Sequence, residues 1–282
     1  MTASTAPFPY YGAKGRMADT IVATLPPHRV YLEPFFGSGA VLFSKPPATV
    51  EIVNDLDGAI VTFFRVLRER PDALEAACAL TPYARDEFLR ADPYESGLDD
   101  LELARRFWCR VNQSFAKATG RATGFAVGTA RTQSPAATAV SRLGRFARCA
   151  DRLSRVIIEN TDAVDLVAKH AVTDDTVVYV DPPYPSTSRS SRSSRGGDYR
   201  VEMASAEDHE RLADALHATP ATVVVSGYRS SLYDRLYAGW YRVDVQTTAG
   251  SANSRVAGRT SRTESLWVSR PPRVRQLGMD VA

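Results

Sequence analysis

Residues 176–184 read Thr-Val-Val-Tyr-Val-Asp-Pro-Pro-Tyr, and this stretch decides the fold. Its first five residues form a continuous apolar run rich in β-branched side chains, which predicts a strand buried on both faces of a parallel sheet. The remaining four, residues 181–184, stand at the carboxyl end of that strand, where open α/β sheets bind their ligands. A proline-rich turn with an aspartate cap is the alternative interpretation of the stretch taken alone.

The four residues after the strand suit the binding of a planar amino group. The Asp181 carboxylate accepts hydrogen bonds, and the two prolines remove two N–H donors and stiffen the backbone, which holds the Pro182 carbonyl as a second acceptor. Tyr184 adds a flat face on which a nucleobase can stack. We therefore predict that Asp181, Pro182 and Tyr184 form a catalytic turn that receives a base carrying an –NH2 group.

Further short apolar runs on both sides of this stretch predict more strands. These runs are residues 29–32, 49–53, 155–159, 222–225, 241–245 and 265–268. Helical patterns lie between several of them, for example over residues 60–70 and 205–217. Because strands alternate with helices, we expect an α/β fold with a sheet of about seven strands.

The alternation stops between the second and third predicted strands. Residues 61–154 contain no convincing strand pattern and several helical ones, at 72–80, 83–91, 101–118 and 139–153. We therefore predict a discontinuous catalytic domain made of residues 1–60 and 155–282. Residues 61–154 are predicted to be a mainly helical insertion.

A glycine-containing turn follows the first predicted strand. Residues 33–39 read Glu-Pro-Phe-Phe-Gly-Ser-Gly, and residues 40–43 are expected to begin a helix. Glycines allow a backbone to approach a ligand closely, although tight turns use glycine for other reasons too. Asp55 comes after the next strand, where an acid binds a ribose in nucleoside-binding folds, or else simply caps a helix. Together the turn and the acid predict a nucleoside-type cofactor.

The bulk composition limits the class of protein. Hydrophobic residues make up 44% of the 282-residue chain, charged residues 24%, and the net charge is +3. Three cysteines are scattered without paired spacing, which argues against disulfides and a zinc site. We see neither a signal sequence nor an apolar stretch of membrane-spanning length. We therefore expect a cytoplasmic protein with no membrane segment and no metal.

Basic residues are clustered along the chain, in four groups. A run of charge is usually a solvated face, but two of the groups flank the expected site, which favours contacts with nucleic-acid phosphates. The candidate DNA-binding residues are Arg105, Arg106, Arg110, Lys117 and Arg121 in the insertion, and Arg189, Arg192 and Arg195 after the catalytic turn.

Taken in order, these motifs resemble the Dam-type family of DNA adenine-N6 methyltransferases, in which the cofactor loop precedes the Asp-Pro-Pro-Tyr motif. The similarity covers nearly the whole chain and is carried by residues 10–14 (Tyr-Tyr-Gly-Ala-Lys), 33–39, 54–57 and 181–184, with further similar segments at 226–228, 232–233 and 262–267. The resemblance implies a Rossmann-like methyltransferase sheet with the helical insertion as target-recognition domain.

The resemblance also implies roles for individual residues. S-adenosylmethionine would contact Tyr10, Lys14, Asp55 and Asp181, and Asp162 falls near the contact with its adenine ring. Phe36, Gly37 and Gly39 would shape its methionine pocket. The implied reaction transfers the methyl group to the N6 amino group of an adenine flipped out of double-stranded DNA. The protein is expected to be a monomer or a weak dimer.

Two other functions remain open at this point. One is an amino-methyltransferase that acts on cytosine N4 or on RNA, since such enzymes share an acceptor-Pro-Pro-aromatic turn. The other is a catalytically silent DNA-binding regulator that keeps the fold. The leading aspartate and the order of the motifs favour adenine in DNA. Methylation of cytosine C5 is disfavoured because it requires a placed cysteine nucleophile.

Overall fold

A computed structural model describes residues 5–10, 12, 14–15, 17–117, 119, 124–128, 134–183, 203, 205–248 and 261–271. Seven strands form one sheet in the order β3-β2-β1-β4-β5-β7-β6. The strands are β1 (Val30–Glu33), β2 (Val50–Asn54), β3 (Val156–Glu159), β4 (Thr176–Val180), β5 (Thr222–Gly227), β6 (Tyr241–Thr248) and β7 (Ser261–Val268). Each predicted strand is confirmed within a few residues.

The order of the strands fixes where a ligand can bind. Strands β1 to β5 run parallel, and β7 is antiparallel to both β5 and β6. The chain moves outward from β1 to β2 and β3, then returns to place β4 on the other side of β1. This reversal creates a crevice at the carboxyl ends of β1 and β4, which is the usual ligand-binding position of such sheets.

Ten helices occur among the described residues. They are α1 (Ala18–Thr24), α2 (Gly58–Glu69), α3 (Pro71–Ala79), α4 (Arg85–Arg90), α5 (Asp100–Gln113), α6 (Pro135–Leu143), α7 (Phe146–Leu153), α8 (Ala163–His170), α9 (Ala206–Ala218) and α10 (Ser231–Leu236). Helices α2 to α7 occupy the long connection between β2 and β3, as the sequence predicts. Among the described residues, no helix is long and apolar enough to cross a membrane.

Three helix predictions need correction. Residues 40–43 form turns and not a regular helix, because Pro46 and Pro47 follow closely and prevent its continuation. The predicted helix over 101–118 ends at Gln113, after which Ser114 forms a β-bridge with Phe125. The helix predicted over 139–153 is two helices, with a break at Gly144, a residue that weakens helix interiors.

The helices cover both faces of the sheet. Along β4, Val177 and Tyr179 pack into one apolar cluster and Val178 and Val180 into another, because successive side chains of a strand point to opposite faces. Helices α2, α5 and α7 pack on the first face, whereas α8, α9 and α10 pack on the second. The central strands are therefore buried on both sides, which explains their uninterrupted apolar sequence.

The helical insertion and the sheet share one apolar core. Phe63 of α2 packs against Phe8, Phe107 and Phe146, with ring centroids 4.9, 5.5 and 5.9 Å away. Helix α2 begins at Gly58 and so spans the predicted domain boundary at residue 60. The division into two domains stays a prediction.

Candidate active site

A cavity opens at the carboxyl ends of β1, β2 and β4, in the crevice that the strand order creates. Most of the predicted cofactor-binding residues line it, namely Tyr10, Lys14, Phe36, Gly37, Asp55, Asp162 and Asp181. Pro183 lines it as well, whereas the side chain of Pro182 is buried. Tyr184 lies outside the described residues. The fold thus brings Tyr10 and Asp181, which are 171 positions apart in the sequence, to the same cavity.

The glycine turn is held by a hydrogen bond from its backbone to Asp55. Gly37 has a φ of +49°, a left-handed conformation that glycine adopts readily. Its N–H donates to Oδ2 of Asp55 at 2.8 Å. A Cβ on Gly37 would lie 3.4 Å from the Tyr10 ring, so the ring rests against this backbone. Gly37 therefore lets an aromatic side chain and the turn meet at the wall of the cavity.

Gly39 is packed closely against two aromatic rings. It has a φ of +70°, and its N–H donates to the Phe36 carbonyl at 2.7 Å. A Cβ on Gly39 would lie 2.6 Å from the Phe36 ring and 2.7 Å from the Phe43 ring. The resemblance implies the same pocket-shaping role for Gly39 as for Gly37. In the structure Gly39 leaves room for two buried aromatic rings, one of which, Phe36, lines the cavity, and its pocket-shaping role stays a prediction.

Gly39→Ala should destabilise the fold more than an alanine at another left-handed glycine. Gly97 is the matched control, since its φ is +84° and a Cβ there would meet nothing within 4 Å. Both variants carry the left-handed penalty of about 1–2 kcal/mol, and Gly39→Ala adds an overpacking cost of about 1–3 kcal/mol. Chemical denaturation measures both losses. Equal losses for the two variants would contradict the packing role of Gly39.

Asp55 lines the cavity while it braces the glycine turn. Its Oδ2 accepts from Gly37 N and its Oδ1 from Asp57 N at 3.0 Å. Burial raises the pKa of Asp55 to about 7. The helix cap is not Asp55 but Asp57, whose Oδ1 accepts from Ala59 N at 2.9 Å. Because each carboxylate oxygen can accept two hydrogen bonds, Asp55 retains capacity for a ligand hydroxyl.

The Asp181 carboxylate is held by two donors on the same oxygen. The Lys14 ammonium lies 2.8 Å from Oδ1, and the Ser226 hydroxyl donates to that oxygen at 2.8 Å. Lys14 is buried, with 5% of its surface exposed, and also donates to the Gly12 carbonyl at 3.1 Å. Glu264 of β7 lies 3.8 Å from the same ammonium. Lys14 thus stands beside the Asp181 carboxylate as well as at the cavity wall.

Glu33 is a cavity residue for which the sequence analysis predicted no role. It ends β1, is 2% exposed, and accepts a hydrogen bond from the Tyr31 hydroxyl at 2.8 Å. Burial, opposed by the Tyr31 hydrogen bond and assisted by the nearby Asp181 charge, raises the pKa of Glu33 to about 8. A cation bound in the cavity would therefore stabilise its ionised form. The available signal was an acid at the end of an apolar strand.

Asp162 stands at the mouth of the cavity and caps α8. Its Oδ1 accepts from Val164 N at 2.8 Å, and its Oδ2 accepts from Arg211 of α9 at 2.8 Å. Burial acts to raise the pKa of Asp162, but Arg211 and Val164 outweigh it and hold the pKa below its ordinary value. The ion pair joins α8 to α9 across the cavity mouth. A ligand that uses Asp162 must share it with Arg211.

The described basic candidates of the insertion are engaged within the protein. Arg105 pairs with Glu87 and Glu102, at 2.5 and 2.7 Å. Arg106 pairs with Glu102 at 2.7 Å and with Glu95. These bonds neutralise the two arginines and leave less of their charge for a phosphate.

Two further candidates of the insertion are also used locally. Arg110 donates to the Phe88 carbonyl at 3.0 Å, and Lys117 donates to the Asn112 carbonyl at 2.8 Å. Burial lowers the pKa of Lys117 to about 8. Arg121, Arg189, Arg192 and Arg195 lie outside the described residues.

The described residues form neither a metal-binding cluster nor a reactive thiolate. No group of three or more His, Cys, Asp or Glu side chains within them could hold a metal ion. Cys78, Cys109 and Cys149 are all buried. Burial raises the pKa of Cys109 and of Cys149 to about 12, and that of Cys78 further. These thiols are therefore protonated at neutral pH and unsuited to nucleophilic catalysis.

The arrangement can hold an amino group beside a nucleoside-type donor. Within the described part of the chain, Lys14 and Ser226 both donate to Oδ1 of Asp181. Oδ2 of Asp181 can therefore accept a hydrogen bond from a ligand. Asp55, Glu33 and the glycine turn lie on the other walls of the same cavity. One carboxylate can therefore orient a nucleophile while two others hold polar groups of the donor.

Comparison with known proteins agrees with this geometry. A sequence model of the family described as D12 class N6 adenine-specific DNA methyltransferase matches residues 10–249. The chain is also similar to a curated protein, Type II methyltransferase M1.LlaDCHI from Lactococcus lactis subsp. cremoris. The two are 24% identical over 260 residues, which covers 86% of this chain and 88% of the relative. The matched range contains every cavity-lining residue named above.

Proposed function

Since the chain belongs to the D12 class N6 adenine-specific DNA methyltransferase family, we propose that its methyl donor is S-adenosylmethionine, bound in the cavity at the carboxyl ends of β1, β2 and β4. When bound, this cofactor supplies a methyl group on a sulfonium, which is a good leaving group. The observation that carries the proposal is the position of Asp181 in the same cavity as the glycine turn and Asp55.

The residues around the cavity fit the polar groups of this cofactor. Asp55 can accept hydrogen bonds from ribose hydroxyls. Glu33 is buried, and its raised pKa falls when an ammonium group binds beside it. The rings of Tyr10 and Phe36 add apolar surface at the same cavity. Lys14 supplies a positive charge for a carboxylate while it contacts Asp181.

Asp181 and Pro182 act on the adenine amino group. Its nitrogen is a poor nucleophile because the lone pair is delocalised into the ring. The Asp181 carboxylate and the Pro182 carbonyl accept its two hydrogens, which favours a tetrahedral nitrogen and directs the lone pair at the methyl group. Both acceptors are fixed before the reaction, so catalysis comes mainly from positioning and electrostatics.

The target adenine leaves the DNA duplex to reach this turn, since the amino group of a paired base cannot contact a carboxylate inside the cavity. Tyr184 follows the two prolines and stacks on the flipped base. Asp181 and Pro182 thus hold the amino group, and Tyr184 holds the ring of the adenine.

The helical insertion selects the target sequence. It approaches the cavity through Tyr94, whose hydroxyl donates to Oδ2 of the cavity-lining Asp57 at 2.7 Å and lies 3.0 Å from the Thr119 hydroxyl. Insertion residues therefore stand where they can contact DNA on either side of a flipped base. Arg105 and Arg106 form ion pairs within the protein. We therefore expect other side chains within residues 61–154 to contact the DNA bases.

The biological role follows from site-specific methylation. The similar protein from Lactococcus lactis is named a type II methyltransferase. We assign this chain the corresponding role, in which a short DNA sequence is methylated to protect it from a restriction nuclease. The substrate is then double-stranded DNA and not RNA.

Methylation-aware sequencing tests this role. DNA from cells that express the protein should carry methylated adenine at one position of one short sequence, and DNA from cells that express the Asp181→Ala variant should carry none. Methylated adenine without a common sequence would contradict the target-selecting role of the insertion. Methylated cytosine at a common sequence would contradict the choice of base.

A further inference from the structure

We propose that Ser226 is a positioning residue for methyl transfer, because its hydroxyl fixes the Asp181 carboxylate and is itself oriented by Tyr179. The inference rests on the proposed role of Asp181 as the acceptor for the adenine amino group. The two hydroxyl groups form a chain of donors that ends on Oδ1 of Asp181 and leaves Oδ2 to the substrate.

Neighbouring strands bring the three residues together. Val180 of β4 pairs with Val225 of β5, so Asp181 and Ser226 follow side by side at the carboxyl ends of the two strands. Tyr179 precedes Asp181 by two residues, so the two side chains point to the same face of the sheet. The Ser226 hydroxyl lies 2.8 Å from Asp181 Oδ1 and 3.1 Å from the Tyr179 hydroxyl. Ser226 is 0% exposed and Tyr179 is 1% exposed, so water does not compete for these bonds.

The chemistry of the groups fixes the direction of both hydrogen bonds. An ionised carboxylate only accepts, so the single Ser226 proton is donated to Asp181. The Ser226 oxygen then accepts the proton of Tyr179. Burial, together with the nearby Asp181 charge, raises the pKa of Tyr179 far above its ordinary value, so the phenol keeps its proton at neutral pH. Hydrogen bonds in such a chain strengthen one another.

Two donors on one oxygen restrict the rotation of the carboxylate. Lys14 reaches Asp181 Oδ1 from the N-terminal segment, and Ser226 reaches it from β5. A turn of the carboxyl group would break its bonds to two donors that are themselves buried, and a buried donor left without a partner is costly. Oδ2 is therefore held as the acceptor for the amino group before any substrate arrives. Such preorganisation is what a positioning residue contributes to catalysis.

The inference is tested with Ser226→Ala, Tyr179→Phe and the double variant, each compared with the wild type in methyl transfer to DNA. Ser226→Ala should lower kcat roughly ten- to hundredfold, the loss expected for a hydrogen bond to a charged group. KM for cofactor and for DNA should stay within about twofold, because the lost bond acts on the reacting geometry and not on binding. Tyr179→Phe should lower kcat less, since Ser226 keeps its proton and still donates it.

Thermal unfolding separates positioning from stability. Ser226→Ala leaves the buried Tyr179 hydroxyl without its partner, so the unfolding temperature should fall. The double variant removes both partners, so the unfolding temperature should recover while kcat stays as low as in Ser226→Ala. Recovery of kcat together with the unfolding temperature would overturn the inference, and so would an unchanged kcat in Ser226→Ala. Failure of the wild type to transfer any methyl group would overturn the proposed function as well, which distinguishes the two failures.

Discussion

Asp181→Asn should lower kcat for methyl transfer by at least about a thousandfold. The change replaces one of the two hydrogen-bond acceptors that hold the amino group with a hydrogen-bond donor. The amide oxygen can still accept from Ser226 and Lys14, whose bonds to the carboxylate measure 2.8 Å each. The amide nitrogen then occupies the place of Oδ2 and presents hydrogens to the hydrogens of the substrate. The variant thus keeps the local fold but repels the nucleophile. Transfer of a labelled methyl group to DNA measures the loss.

Asp175→Asn is the matched control for this variant. Asp175 stands just before β4, at the opposite end from Asp181, and its charged partner Arg29 is largely exposed and 4.0 Å away. The same chemical change there should leave kcat unaltered. An Asp181→Asn enzyme with kcat within tenfold of the wild type would contradict the assigned mechanism, provided that its unfolding temperature matches that of the control.

Glu51→Gln should cost about 3–5 kcal/mol of folding free energy, the usual effect of removing one partner from a buried ion pair. Glu51 is 2% exposed and pairs with Lys45 at 2.6 Å and with Arg152. Its Oε1 also accepts from Ala48 N at 3.0 Å. The change leaves two cations facing each other without a counter-charge. Because Arg152 belongs to α7, the lost bonds also anchor the helical insertion to β2.

Glu210→Gln provides the comparison for Glu51→Gln. Glu210 of α9 pairs with Arg235 of α10 at 3.0 Å, and both side chains are exposed. The loss of such an exposed pair costs about 0–1 kcal/mol. Denaturant titration of the two variants measures both values. A Glu51→Gln variant no less stable than Glu210→Gln would contradict the structural role of the buried pair.

The contribution of Glu51 to the free energy of unfolding should also depend on pH. Burial acts to raise the pKa of Glu51, but its bonds to Arg152 and Lys45 outweigh burial and hold the pKa below its ordinary value. The stabilisation from ionised Glu51 is therefore present above the pKa of the unfolded chain and is lost as the pH falls through the lower folded pKa. The wild type and Glu51→Gln should accordingly approach each other in stability in acid.

The sheet and the place of the site could be predicted from the sequence because their signals are local. The buried strands of a doubly covered sheet read as apolar runs, and all seven runs became strands. The positions of Asp181 and residues 33–39 at the ends of two such runs then predicted a shared site at the carboxyl edge. Membership of the D12 class confirms the family that these motifs resemble.

The details that escaped prediction depend on contacts between distant parts of the chain. Gly39 is needed for the rings of Phe36 and Phe43, and no local pattern distinguishes it from Gly37, which faces the cavity. Arg105 pairs with Glu87 of a different helix, a contact that the run of basic residues does not reveal. The hydroxyl of Ser226 reaches Asp181 across 45 residues, which only the pairing of β4 with β5 reveals.

This protein methylates the N6 amino group of adenine in DNA, and we propose that S-adenosylmethionine is the methyl donor. The most direct test incubates unmethylated double-stranded DNA with the protein and a donor that carries a deuterated methyl group, and then analyses the released nucleosides by mass spectrometry. We expect the label to appear in N6-methyldeoxyadenosine and to disappear with Asp181→Asn. Label in N4-methyldeoxycytidine, or no label in any nucleoside, would contradict it.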